Sequence, residues 1–184
     1  LIITMFFILL FSLSYVNAQE ISNNTDMDDT LSSSQSSEIL GNGLNFNDGG
    51  GSLKDLKDVV QSADIIGLNH NYTYTDGDPT DGIEINGNKI IIGNNITIDG
   101  KNQARLFVFK SSQIYISGIN FVNFKTNFNG AAIYSNGSSA VINDCKFENC
   151  QATNGGALYY DGISLLISNS TFNNKWKISW RKKK

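Results

Sequence analysis

Two small sets of charged residues are the first places to look for chemistry in this 184-residue sequence. Asp99, Lys101 and Arg105 cluster around one turn, and Asp144, Lys146 and Glu148 alternate along one short run. A carboxylate beside a base can move protons, and grouped Asp residues, or an Arg base with Ca2+, can cleave acidic polysaccharides. The second set interleaves with Cys145 and Phe147. Side chains alternate along a strand, so that spacing puts all three charges on a single solvent-facing side. Asp99 belongs to TIDG, and Asp-Gly is first of all a turn-former. No dense group of carboxylates recurs along the chain, so no residue is assigned a catalytic role and no enzyme is expected. His70, in GLNHNYTY, has no identifiable co-ligand and reads as a loop residue. No metal and no cofactor are expected.

The aromatics give a better hint of binding. Tyr72, Tyr74, Tyr134, Tyr159 and Tyr160 lie near the ends of short apolar runs. Tyr134, Tyr159 and Tyr160 are the candidate ligand contacts, because a row of Tyr on a flat wall suits sugar stacking or protein contact. The competing reading makes them half-buried members of a stacked ladder. Asn-x-Ser/Thr occurs at Asn23, Asn71, Asn95, Asn136 and Asn169. Asn71 and Asn136 fall in turns and are the candidate glycosylation sites.

The elements that carry these residues repeat. NGAAIYSNGSSAVINDCKFENC, starting at Asn129, is followed by NGGALYYDGISLLISNSTFNN, starting at Asn154. Gly130 aligns with Gly155, Ile133 with Leu158, Val141 with Leu166, Cys145 with Ser170 and Phe147 with Phe172, always 25 residues apart. Earlier runs repeat more loosely, with Phe121 26 residues before Phe147 and Ile98 23 before Phe121. A period in the twenties, built from runs too short for helices, signals a stacked solenoid. The expected fold is all-β: a right-handed parallel β-helix with three strands per coil. Phe121, Phe147 and Phe172 are expected to stack as an aromatic ladder, with Ile96, Ile98, Ile119 and Cys145 beside them. Leu158 and Leu166 are expected to fill the core with Phe172. Asn149 and Asn174 are expected to stack at a corner, amide on amide. If Cys145 points inward with Phe147, Cys150 at the following turn points elsewhere. A disulfide suits a secreted protein, but the next repeat does without it.

Upstream, LIITMFFILLFSLSYVNAQE has an apolar run followed by small residues, the pattern of a secretory signal cleaved after Ala18, with a membrane anchor as the alternative. Residues 19–52, rich in Ser, Asn and Asp, read as a disordered spacer. Leu53, Leu56, Val59, Val60 and Ala63 recur at helical spacing behind Ser52 and Asp55, a capping-box start. This short N-terminal helix is expected to cap the open end of the coil stack, where bare strand edges invite aggregation. The β-helix with its cap is assigned to 53–174. The basic tail, 175–184, breaks the repeat; it reads as a truncation or frameshift product, or as a site for anionic glycan or lipid headgroups. The net charge of −3 gives no basic field for nucleic acid. No stable transmembrane span is expected beyond the signal segment.

The units GGALYYDGISLLISNSTFNN, GAAIYSNGSSAVINDCKFENC and IIIGNNITIDGKNQ resemble the repeats of archaeal adhesin-like proteins of gut methanogens, within the pectin-lyase-like β-helix group. They are also similar to the repeats of chlamydial polymorphic outer membrane proteins. The resemblance covers about Leu53 to Asn174. It implies a secreted, surface-exposed protein, here a fragment of a longer one, that contacts glycans or proteins of a host or neighbouring cell. The alternatives are a polysaccharide lyase or hydrolase remnant and a structural spacer in the cell envelope.

Overall fold

The computed structural model describes residues 45–46, 51–110, 113–137, 139–173 and 178–182. The signal segment, most of the spacer, Asn174, and residues 175–177 and 183–184 of the basic tail lie outside them. Chain order begins with β1 (Asn45–Phe46), α1 (Leu53–Ser62), β2 (Ile65–Leu68), β3 (Tyr72–Thr73) and β4 (Ile83–Asn86). Next come β5 (Lys89–Asp99), β6 (Phe107–Lys110), β7 (Gln113–Val122), β8 (Ile133–Asn136), β9 (Ser139–Asn143) and β10 (Lys146–Glu148). The series closes with β11 (Leu158–Gly162), β12 (Ser164–Ser168), β13 (Thr171–Asn173) and β14 (Ile178–Lys182).

Every strand pair is parallel, and each strand lies on its equivalent one turn away. The result is a right-handed parallel β-helix of about four turns. Three walls result. Wall 1 holds β1, β2, the first half of β5, the first half of β7, β9 and β12. Wall 2 holds β3, the second halves of β5 and β7, β10 and β13. Wall 3 holds β4, β6, β8, β11 and β14. The register matches the expected alignment: Ile133 lies on Leu158, Val141 on Leu166, and Phe121 on Phe147 on Phe172.

The wall 1 to wall 2 corner explains one pair of glycines. β5 and β7 run through it, with a register shift between Ile92 and Ile96. Gly118 sits there at φ +69°, and a Cβ on it would collide with the Gly93 carbonyl. Asn95, Asp144 and Asn169 take the left-handed region at this same corner, and Asn123 and Asn149 take it at the corner that follows wall 2. These residues tolerate that conformation because a short polar side chain can bond locally.

Inside, the Phe121 and Phe147 rings stack at 4.8 Å and 12°, and Phe147 and Phe172 at 4.5 Å and 5°. Ile96, Ile98, Ile119 and Cys145 are buried with them. Leu166 corrects the expectation: it is 52% exposed, while its neighbours Leu165 and Ile167 pack on the core. Leu166 pairs with Val141, which itself faces outward, so aligning the two fixed the register without fixing the face.

α1 closes the first coil. Leu53, Leu56, Val59 and Val60 are buried, and Ser52 and Asp55 form the reciprocal capping box. Asp78 adds a second cap from a distant loop, accepting the backbone N–H of Leu53 (3.0 Å) and Lys54 (2.9 Å). Within the segment read as spacer, Asn45–Phe46 pairs with Ile66–Gly67. At the far end the solenoid runs past Asn174: in β14, Ile178 lies on Leu158, Trp180 on Tyr160 and Arg181 on Asp161.

Candidate functional site

The outward column of wall 3 brings Tyr134 onto Tyr159, because both sit at the second residue of equivalent strands. Their rings are parallel, 5.5 Å apart and 5° from coplanar. Arg105 closes the other side of the column. It precedes β6, and its guanidinium carbon lies 4.7 Å from the Tyr134 ring centroid. Arg105 Nη2 donates to Asn129 O (2.6 Å) and Nε to Gly130 O (3.1 Å), so this side chain ties one coil to the loop of the next. Burial pulls the guanidinium below its ordinary pKa, and Tyr134 and Asp81 oppose that shift. The planar fork satisfies two carbonyls while its face rests on an aromatic ring, a combination an ammonium cannot make.

This geometry changes the standing of the tyrosines as ligand contacts. Tyr134 is covered by Arg105 and stacked on Tyr159, and Tyr159 is only 8% exposed. Their rings act as ladder members. Tyr160 corrects the sequence reading outright: it faces inward, is fully buried, and donates its hydroxyl to Ser164 O (2.7 Å). Tyr72 is buried in the core and Tyr74 packs on it. The exposed aromatic of this region is Phe128, 58% exposed, with Arg105 5.9 Å from its ring. Sequence reasoning missed Phe128 and placed Arg105 with Asp99. The signal lay in the loop lengths, since Asn129 and Gly130 stand one coil beyond Arg105.

The two charged sets are held by internal partners. Asp99 accepts Lys101 N–H (2.9 Å), pairs with Lys101 Nζ (2.9 Å) and accepts Asn123 Nδ2 (3.0 Å). Burial pushes its carboxyl up, but these donors outweigh it and hold the pKa below the ordinary value. It is a corner residue that begins an amide ladder: Asn149 Nδ2 donates in turn to Asn123 Oδ1 (3.2 Å). The expected Asn149 corner stack therefore runs toward Asn123 and Asp99; Asn174 lies outside the described residues. Lys146 pairs with Glu148 (2.9 Å) on the outside of wall 2, and Asp144 accepts Asn143 Nδ2 at the adjoining corner.

Cys145 and Cys150 are both buried and unbonded to each other. Cys150 thus joins the core along with Cys145. Burial drives the Cys145 thiol up to about 11. His70 is half-buried, with Nε2 unpartnered among the described residues. Among the described residues, no three His, Cys, Asp or Glu side chains are placed to hold a metal ion. No helix among them is long and apolar enough to cross a membrane. Asn71 is exposed and accepts Thr97 N–H (2.7 Å) through Oδ1. Asn136 is half-buried at the end of β8, and the Ser138 of its sequon lies outside the described residues.

No family model, curated protein or solved structure matches the chain.

Proposed function

We propose that this chain is a secreted, non-catalytic protein of the cell surface that works as an adhesin-like rod, in the manner its repeats' resemblance implies. The observation that carries this reading is the strict registration of the coils. Each wall offers a column of outward side chains at intervals of about 4.8 Å, so weak contacts can add along a stiff scaffold. The charged sets that would serve a lyase are engaged with each other: Asp99 with Lys101, and Lys146 with Glu148. The contact is placed at exposed Phe128 beside Arg105, where a protein surface gains more than a sugar ring.

The test uses full-length chain on beads at graded density, scored for attachment to cells. Attachment should rise steeply with density and fall several-fold with Phe128→Ala. Attachment no better than an inert protein at every density removes the adhesion reading and leaves that of a spacer. Release of unsaturated uronate from acidic polysaccharide would instead establish a lyase.

A further inference from the structure

The three walls differ in what they show to solvent. Outward strand positions of wall 2 include Asp99, Lys146 and Glu148, and those of wall 3 include Glu84, Lys110, Asp161 and Arg181. Wall 1 carries no charge at its outward strand positions among the described residues. Its central column is Ile65, Ile90, Tyr115, Val141 and Leu166, each registered on the next. The inward neighbours Ile66, Ile91, Ile114, Ile116, Ala140 and Ile142 fill the core, so this column is a second apolar line on the outside. One flank is Gln113, Ser139 and Ser164; the other is Gly67, Ile92, Ser117, Asn143 and Ser168. Leu166 is 52% exposed, and Ile163 at the adjoining corner 58%. Charges return only at the rim, at Asp64, paired with Lys89, and at Asp144.

We infer that wall 1 is a self-association surface whose occupant is wall 1 of a second copy. An apolar stripe between uncharged columns, with charge confined to the rim, has the composition of an interface centre. It is also self-complementary. A two-fold axis through the stripe lays one column over the other with uncharged residues on both sides. The chain has a net charge of −3, and walls 2 and 3 would set ionised groups against each other. Wall 1 lets two copies meet without opposing charges. Five strands about 4.8 Å apart, each about five residues long, give about 400 Å2 per copy. The total of about 800 Å2 for the two copies lies below the roughly 1,200 Å2 of a stable interface, so the association is weak and concentration-dependent. It becomes effective where many copies are held together on one surface.

Sedimentation velocity of the full chain tests this. The weight-average sedimentation coefficient should rise from about 10 μM to about 1 mM, the range in which a weak interface populates. The double variant Val141→Lys, Leu166→Lys should lower the association constant by about 100-fold or more, since it puts like charges into the contact. Both positions face outward, so its circular dichroism and melting should match the parent. As a check that needs no variant, hydrogen exchange of the parent at both concentrations should show added protection in β7, β9 and β12 but not in β6 or β8. A sedimentation coefficient flat with concentration overturns the inference. So does association undiminished in the double variant, or protection confined to β14. These readouts involve no other cell, so they stand or fall apart from the adhesion test.

Discussion

Phe147 illustrates what a single position contributes in a stacked fold. It is fully buried, with Phe121 stacked on one side and Phe172 on the other. Truncation removes its own transfer energy and also opens both neighbours to a void. Phe147→Ala should therefore cost about 3–5 kcal/mol in a denaturant melt. Phe172→Ala should cost clearly less, because Phe172 is half-buried and its stacked partner lies on one side. Equal losses at the two positions would count against the ladder as a source of stability. Cys145 makes a chemical rather than energetic prediction. Its thiol is buried, pushed up to about 11, and hydrogen-bonded toward Asn143 O (3.2 Å). The thiolate is the reactive form, so iodoacetamide at pH 8 should leave Cys145 intact in the folded protein and modify it readily in denaturant. Rapid alkylation of the native protein at Cys145 would contradict this burial.

At the scale of elements, the helix cap is the part least legible beforehand. The capping box of Ser52 and Asp55 could be read directly, because its members lie three residues apart. Asp78 could not, since TDGDPTDG offers several acids and none advertises a partner one coil away. The Asp78 carboxylate accepts from Thr75, Leu53 and Lys54 and sits at the positive end of α1. Burial alone would raise its pKa, but those backbone donors outweigh it and the folded value is depressed. Its contribution is thus fully present above the unfolded carboxylate pKa of about 3.9 and is lost as pH falls through the lower folded value. Asp78→Asn should destabilise the protein by about 1–2 kcal/mol at neutral pH. The difference between parent and variant should shrink below about pH 4 as the parent's carboxylate takes up its proton. A difference unchanged from pH 7 to pH 3 would show that charge at this cap is irrelevant. Alternation along a strand also fixes which side chains face the core. Leu158 and Tyr160 share a parity, so the burial of one fixes the burial of the other, and the same rule turns Leu166 outward between Leu165 and Ile167.

For the whole molecule, repetition made the fold readable and also defines its sharpest test. From Asn129 to Asn173 the equivalences are all 25 residues apart: Asn129 bridges Asn154, Ile133 lies on Leu158, and Phe147 on Phe172; β14 follows at a shorter spacing, with Ile178 on Leu158. The earlier spacings vary because loops and the bend within β5 absorb the difference: the offset from β5 to β7 falls by two residues between Ile92 and Ile96. Each coil contacts only its neighbours, so stability is a sum of coil and interface terms. Deleting residues 129–153, which joins Phe128 to Asn154, should therefore place the last coil's strands on β6, β7 and their walls in unchanged register. Thr153 already bonds through its N–H to Phe128 O (2.9 Å), so the two positions are equivalent at the join. The shortened chain should keep a β-type circular dichroism spectrum and unfold cooperatively at a lower temperature. Removing one residue fewer, 130–153, should fail unless the loop takes up the slack, because a one-residue slip turns every core side chain outward. If the two deletions melt alike, the loops rather than the strand register set the stacking. If only the 25-residue deletion folds, the coil is the unit of both sequence and stability.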